Sequence, residues 1–314
     1  MFSLIIRRFL LGLITVLGAM ILLFILIQLV PGDPASIMLG PRASPQLIEN
    51  IRARMGLDQP VYVQLFRFIF NIFRGDLGTD VLNQRSVSTM IINVLPYTIA
   101  LATASIFIAV VLGVPLGVYS AFYRNTILDR ILTFASISII TTPSFLFGLF
   151  FLLLFSLTLG WFPVMGGGES GNLLDQLYHL VLPAFALGIR WVGYVARLIR
   201  SSVLEEMHED YIRTARAKGL SEKIVISKHV LRGAILPVVA ILGVGFGNLL
   251  GGAVLIEVIF HRPGLGYLIY NAFRTRNYPV VQGALVVAIF MYAVVNMFTD
   301  LSYGLIDPRI RKGE

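Results

Sequence analysis

Residues 202–237 read SVLEEMHEDYIRTARAKGLSEKIVISKHVLRGAILP, a charged island behind the first two-thirds of an otherwise apolar chain. The pattern is helical. Val203, Met207, Tyr211 and Ala215 recur every fourth residue and share a helix face, while Glu205, Glu206, Glu209, Arg213 and Arg216 fall elsewhere. Ser202 with Glu205 three residues later has the form of a capping box and predicts a helix start there. Gly219 suits a left-handed C-terminal cap, and Ser221 can open a second helix that runs on into the next apolar run. Two short helices across a tight turn, wet on one side and apolar on the other, make a docking surface. The competing reading is a solvated loop, the usual fate of a charge run. Against it stand Tyr211 and Ile212 among the small residues Thr214, Ala215, Ala217 and Gly219. Small residues let a partner backbone approach, and an aromatic supplies an anchor.

Around this island the composition is that of a membrane protein. The 314 residues would allow two soluble domains, but 57% are hydrophobic and only 13% charged, with mean hydropathy +0.83. No cysteine is present, which excludes disulfides and thiolate metal sites. The net charge of +8 could point to nucleic acid, yet the basic residues gather at the ends of apolar runs, where membrane orientation explains them. Arg7 and Arg8 precede an apolar run from Phe9 to Val30, long enough at about 1.5 Å per residue to cross roughly 30 Å of hydrocarbon. It is too long for a signal-peptide core, and no small-x-small cleavage site follows it. The two arginines place the N-terminus in the cytoplasm, and Pro31-Gly32-Asp33-Pro34 stops the span.

Residues 31–96 are mostly polar and lie outside by that orientation. Ser44 opens a short helix that ends at Gly56. Val61 to Arg74 is apolar on most faces but too short to span, so it reads as an interfacial helix or a lid on the outer mouth. Further spans are expected at 97–122, loosened by Gly113, Pro115 and Gly117; at 131–159, with Pro143 inside; at 177–198; at 234–260; and at 281–306. That is an all-α polytopic fold of six spans with both ends in the cytoplasm. Eight Lys/Arg lie between Arg197 and Arg232 and none between Gly160 and Gln176, in accord with the charge rule. The loop with Arg262, Arg274 and Arg276 runs against it.

Arg190, Glu257 and Asp300 fall inside spans, where each would cost about 2.5–3.5 kcal/mol facing lipid at mid-depth. They should face the bundle interior or a wet cavity. Arg190 could meet a substrate carboxylate and Glu257 a substrate ammonium; pairing with each other or with neighbouring helices is the competing reading. Asp300 is placed to meet Arg197 or Arg200. Asn248, among glycines, is a weaker candidate for the path. Gly166-Gly167-Gly168 is a flexible turn, since no Lys-Ser/Thr follows it. No GxxxxGK[ST] and no HExxH occurs, and the four histidines are dispersed, so neither nucleotide binding nor catalysis is expected of this chain itself. No convincing internal repeat marks a secondary transporter, and a channel would not need an amphipathic two-helix loop.

DYIRTARAKGLS followed by HVLRGAILPVV resembles the coupling loop of the dipeptide/oligopeptide/nickel class of ABC importer permeases. The general loop runs Glu-Ala-Ala, three residues, Gly, nine residues, Ile-x-Leu-Pro. Ala215, Gly219 and Leu231 match, whereas Arg213, Thr214, His229 and Arg232 replace the Glu, first Ala, Ile and Pro. PGDP, GLDQPVYVQ, GDLG, PGLG and DPRIR occur in family order. The resemblance implies a division into 1–30, an extracytoplasmic insertion 31–96, a core 97–306 with coupling loop 202–232, and a tail 307–314. It implies a second, similar permease, two cytoplasmic ATPase subunits or domains carrying ATP and Mg, and an extracytoplasmic solute-binding protein in a bacterial or archaeal membrane. Coupling would run through Asp210, Tyr211, Thr214, Ala215, Ala217 and Gly219. Peptides are the expected cargo; glutathione, nickel chelates or sugar-type ligands fit the same class.

Overall fold

The computed structural model describes residues 2–30, 32–33, 35–36, 43–81 and 83–306. Its regular elements are helices, and among the described residues the β pairing is a single isolated bridge between Thr79 and Ser86. Two compact units form. One gathers the chain up to Thr98 with Pro263–Met297; the other gathers Ile99–Arg262 with the segment from Phe298. The expected tail 307–314 lies outside the described residues.

The first unit holds α1 (Phe2–Gln28), α2 (Pro45–Met55), α3 (Val61–Phe73) and α12 (Leu265–Arg274), with parts of α4 (Val87–Phe122) and α13 (Tyr278–Ile306). The short helix expected after Ser44 is present: the Ser44 hydroxyl accepts from Leu47 N at 3.3 Å, and Gly56 closes α2 at φ +69°. Val87, Ile91, Leu265, Ala272, Val280, Val281 and Ala284 form its core. Asn277 Nδ2 donates to buried Asp80 Oδ1 at 2.6 Å and ties residues 76–86 to the turn before α13. Leu265 N donates to buried Thr98 Oγ1 at 2.8 Å.

In the second unit α5 (Ile127–Thr141) and α6 (Ser144–Phe151) meet at Thr142-Pro143, and α6 runs on as a π-helix over Leu152–Thr158. The sequence predicts one span with a proline inside; the structure instead breaks there by 100°. Proline lacks the N–H that would continue the ladder and drives the preceding residue out of the α region. Thr142 is accordingly extended, at φ −82°, ψ 128°. α7 (Leu173–Glu206) carries Pro183 inside without ending.

The predicted helix start at Ser202 is not observed. Ser202 is buried inside α7, which ends at Glu206, because Ile199, Ser202 and Val203 continue its inward face. Glu209, extended at φ −68°, ψ 145°, precedes α8 (Asp210–Ala217) instead. Ser221 does open the next helix: α9 (Glu222–Ile224), a π stretch Val225–Val230, α10 (Leu231–Ala234) and α11 (Leu236–Ile259) follow in one run. Gly113 and Gly117 do not loosen α4, which is continuous to Phe122. They are contact points instead, where an added Cβ would lie 2.8 Å from Val195 Cβ and 2.4 Å from Ala196 O on α7. Among the described residues five helices are long and apolar enough to cross a membrane, or six crossings if α5 and α6 make one.

Candidate functional site

The loop from Met207 to Ser221 is built as a short amphipathic helix pressed onto the second unit. Ile212 and Ala215 of α8 enter a core of Ile199, Val203, Val225, Ile226, Val230 and Ala234. Burying the Ile212 side chain contributes about 1.5–3 kcal/mol, which holds an eight-residue helix far below the length that is stable alone. The turn after α8 is closed by Gly219 at φ +78°, where nothing lies within 4 Å of an added Cβ, so glycine is needed for backbone conformation alone. Arg216 Nε reaches Glu222 Oε1 across that turn at 2.9 Å.

Of the six residues singled out for docking, only Ala215 is buried. Asp210, Tyr211, Thr214, Ala217 and Gly219 are exposed, and Leu220 and Ile224 extend the exposed apolar edge. Tyr211 does not share the buried face, which in α8 runs through Ile212 and Ala215 and leaves Tyr211 to one side. Its hydroxyl donates to Glu206 Oε2 at the end of α7. Glu206 in turn lies against Gly233, where an added Cβ would come 2.3 Å from Oε1. Partial burial, the bond to Glu206 and the nearby Glu206 and Glu209 charges push the Tyr211 hydroxyl up to about 12. Tyr211 is therefore a neutral donor at any physiological pH. Thr214 Oγ1 bonds to Asp210 O at 3.0 Å and Arg213 Nη1 to Asp210 Oδ1 at 3.2 Å, both on the open side.

The polar residues of the spans separate. Arg190 on α7 is exposed, and its Nε donates to Ile140 O at 3.1 Å, in the last turn of α5 before the break. A cation there satisfies a carbonyl that the broken helix leaves without an N–H partner. Asn248 is exposed on α11, while Glu257 is fully buried in the last turn of that helix. Arg262, also buried, donates its backbone N–H to Glu257 O at 2.8 Å. The side chain of Asp300 lies outside the described residues, and Arg200 is engaged elsewhere.

Arg200 Nε and Nη2 hold Asp129 Oδ1 and Oδ2 at 2.7 and 2.8 Å, a bidentate pair. Asp129 also accepts from Ser120 Oγ at 2.6 Å and Asn125 N at 3.0 Å, so the buried carboxylate is saturated. A cleft of about 220 Å³ beside it is lined by Leu116, Thr133, Ser136 and Arg197 among others. Thr126, the N-cap of α5, is the sequence signal that places Asp129 in the first turn of a helix. No cluster of three or more metal-ligating side chains occurs among the described residues.

The model of the family described as binding-protein-dependent transport system inner membrane component matches residues 113–312, and that of its N-terminal component matches residues 1–102. The chain belongs to this family. The permease is 40% identical to the probable D,D-dipeptide transport system permease protein DdpB of Escherichia coli, over 96% of this chain and 95% of the relative. It is 41% identical to a putative peptide transport system permease protein of Brucella abortus, over 99% of each. A glutathione transport system permease protein of Salmonella paratyphi A is 39% identical, over 96% of this chain and 97% of its own length. Among solved structures, a chain of the MetNI methionine ABC transporter in an inward-facing conformation aligns with TM-score 0.58 at 18% identity. It covers 69% of the permease and 96% of that chain, a likeness of fold.

Proposed function

We propose that this permease is one half of the translocation path of an ATP-driven importer of dipeptides or oligopeptides, and that α8 is its contact with a cytoplasmic ATPase. The observation that carries the reading is the two-sided construction of α8. Ile212 and Ala215 fasten it to the helix run that continues into α11, while Tyr211, Thr214, Ala217, Leu220 and Ile224 are left for another protein. A force applied to the open side is thus delivered to a membrane-spanning helix. ATP and Mg belong to the partner subunits; closure of an ATPase pair would act by favouring one of two arrangements of the bundle through contacts that differ between them.

A second, similar permease completes the path, and an extracytoplasmic binding protein delivers the cargo to the side on which α1 ends. The family and the peptide-permease relatives support this assembly. The excess of Lys/Arg between Arg197 and Arg232 supports an orientation in the cytoplasmic membrane with both termini inside. Exposed Arg190 and Asn248 are the path residues, with Arg190 offering its free guanidinium edge to a peptide carboxylate; fully buried Glu257 supports the path from within the protein. Glutathione, itself a tripeptide, is the second cargo reading, favoured by the glutathione-permease relatives.

The test is substrate-stimulated ATP hydrolysis and uptake by the reconstituted assembly with Tyr211→Ala or Gly219→Asp in this chain. Both variants are expected to lose stimulation at least tenfold while the permease stays folded and inserted. Unchanged hydrolysis and uptake would make α8 plain surface and reopen the channel and secondary-transporter readings.

A further inference from the structure

Helix α3 has three faces with three different surroundings. Phe68 packs on Phe24 of α1 with ring centroids 5.9 Å apart, and Gln64 accepts a 2.9 Å hydrogen bond from Gln28, the last residue of α1. Gln64, Arg67 and Asn71 supply polar groups, with Asp76, Gln84 and Gln282, to a cavity of about 510 Å³ that Phe24, Ile72 and Leu77 also line. The remaining face is a stripe of Tyr62, Phe66, Phe70 and Phe73, exposed by 75, 70, 44 and 64%. No residue of α3 is buried. Left in water, four such rings would forgo about 1.5–3 kcal/mol each.

The register of α3 against α1 says what covers the stripe. Gln28 meets Gln64, and Phe24, one turn back along α1, meets Phe68, one turn forward along α3. The two helices are therefore antiparallel at the contact. α1 is long and apolar enough to span a membrane, and its Leu22, Ile25 and Leu26, on these same turns, are exposed. From the level of Gln28 the chain in α3 heads back along α1 towards the bilayer centre, by about 13 Å between Gln64 and Phe73 at about 1.5 Å per residue. The ring chemistry follows this slope. Tyr62, which needs water for its hydroxyl, stands at the shallow end, and the three phenylalanines follow. Arg74, at the deep end, turns its guanidinium back over the Phe70 ring, 4.1 Å from the centroid, as a cation does that must reach the headgroups.

We infer that α3 is a half-depth helix inserted beside α1, with its aromatic stripe packed on phospholipid acyl chains. Under the orientation proposed above these belong to the outer leaflet. The stripe continues the lipid-facing surface of α1, and the cavity remains on the protein side. α3 thereby fixes the height of the first unit against the membrane surface.

The absence of native cysteine makes the test direct. Tyr62→Cys, Phe66→Cys, Phe70→Cys and Phe73→Cys are spin-labelled one at a time in the assembled transporter in lipid nanodiscs, with the partner subunits cysteine-free. Collision with oxygen, which concentrates in the bilayer, is compared with collision with a water-soluble nickel chelate. Oxygen access is expected at all four, and nickel access should fall several-fold from Tyr62→Cys to Phe73→Cys. Equal nickel access along the stripe would place α3 in water and overturn the inference. So would exclusion of both reagents, or loss of oxygen access when a binding protein is added, since a protein would then cover the face. Where a labelled variant does not assemble, quenching of Phe66→Trp by lipids brominated on the acyl chain decides in the same way, and absence of quenching refutes it.

Discussion

Gly233 is small because the Glu206 carboxylate occupies the space a side chain would take, and Glu206 is held there by Tyr211. This three-residue contact joins the end of α7, the start of α8 and the run into α11. Gly233→Ala should displace the carboxylate and free Tyr211. The loss is one charge-assisted hydrogen bond at the surface, about 1 kcal/mol, so the melting temperature should move by only a few degrees. Coupling of ATP hydrolysis to substrate should fall far more; unchanged coupling would show that Glu206 does not position Tyr211. The Tyr211 hydroxyl, raised from 10.0 to about 12, gives a pH prediction with a definite sign. A group whose folded value is raised contributes its full stabilisation below its ordinary value and loses it as pH rises through the folded one. The difference in near-ultraviolet phenolate absorbance between the native chain and Tyr211→Phe should therefore appear with a midpoint near 12 and not near 10. At the buried Asp129 carboxylate, Asp129→Ala leaves the Arg200 cation unpaired and should cost about 3 kcal/mol in unfolding, whereas Ser120→Ala, which removes one of several donors, should cost about 1 kcal/mol.

At the scale of elements, two departures from regular α-helix, the break at Pro143 and the π stretch Val225–Val230, bear on movement. α5 and α6 meet at Pro143 with a 100° bend, and Arg190 caps the end of α5 through Ile140. Arg190→Ala should lower unfolding stability by about 1–2 kcal/mol through the lost charged hydrogen bond, and Arg190→Lys should recover part of it in thermal melts. If transport falls with Arg190→Lys while stability is restored, the guanidinium acts on cargo as well as on the helix end. The π stretch Val225–Val230 lies between the Gly219 turn and α11. Such stretches are one-residue insertions in an α-helix and gather at functional places. Deleting the exposed Ser227 should restore α geometry and rotate α8 by about 100° relative to α11. Membrane insertion should be preserved and coupling lost, as read by protease protection and ATP hydrolysis on the same preparation.

For the whole molecule, the reading requires that catalysis come from elsewhere. The purified permease should release no phosphate from ATP until ATPase subunits are added, and hydrolysis by the chain alone would contradict it. Of its two units, the one holding α1 to α3 and α12 carries the stripe proposed for the bilayer, and the one holding α5 to α11 carries the surface proposed for the ATPase. Hydropathy, charge and motif order were enough to read an all-α membrane protein, its apolar stretches and the helix pair around Gly219. These depend on local terms: apolar length against bilayer thickness, and the conformational freedom of glycine where φ is positive. The ends of α7 and α8 were not legible in that way. A capping box at Ser202 is overridden when the next turn carries Val203 into a core, and a four-residue period cannot show where one helix ends and the next begins. Nor could the pattern say that Asp129 would find Arg200, 71 residues away, or that Glu206 would lie in the space left by Gly233. Those contacts join segments distant in the chain, and only the packing of helices decides which side chains share a buried volume.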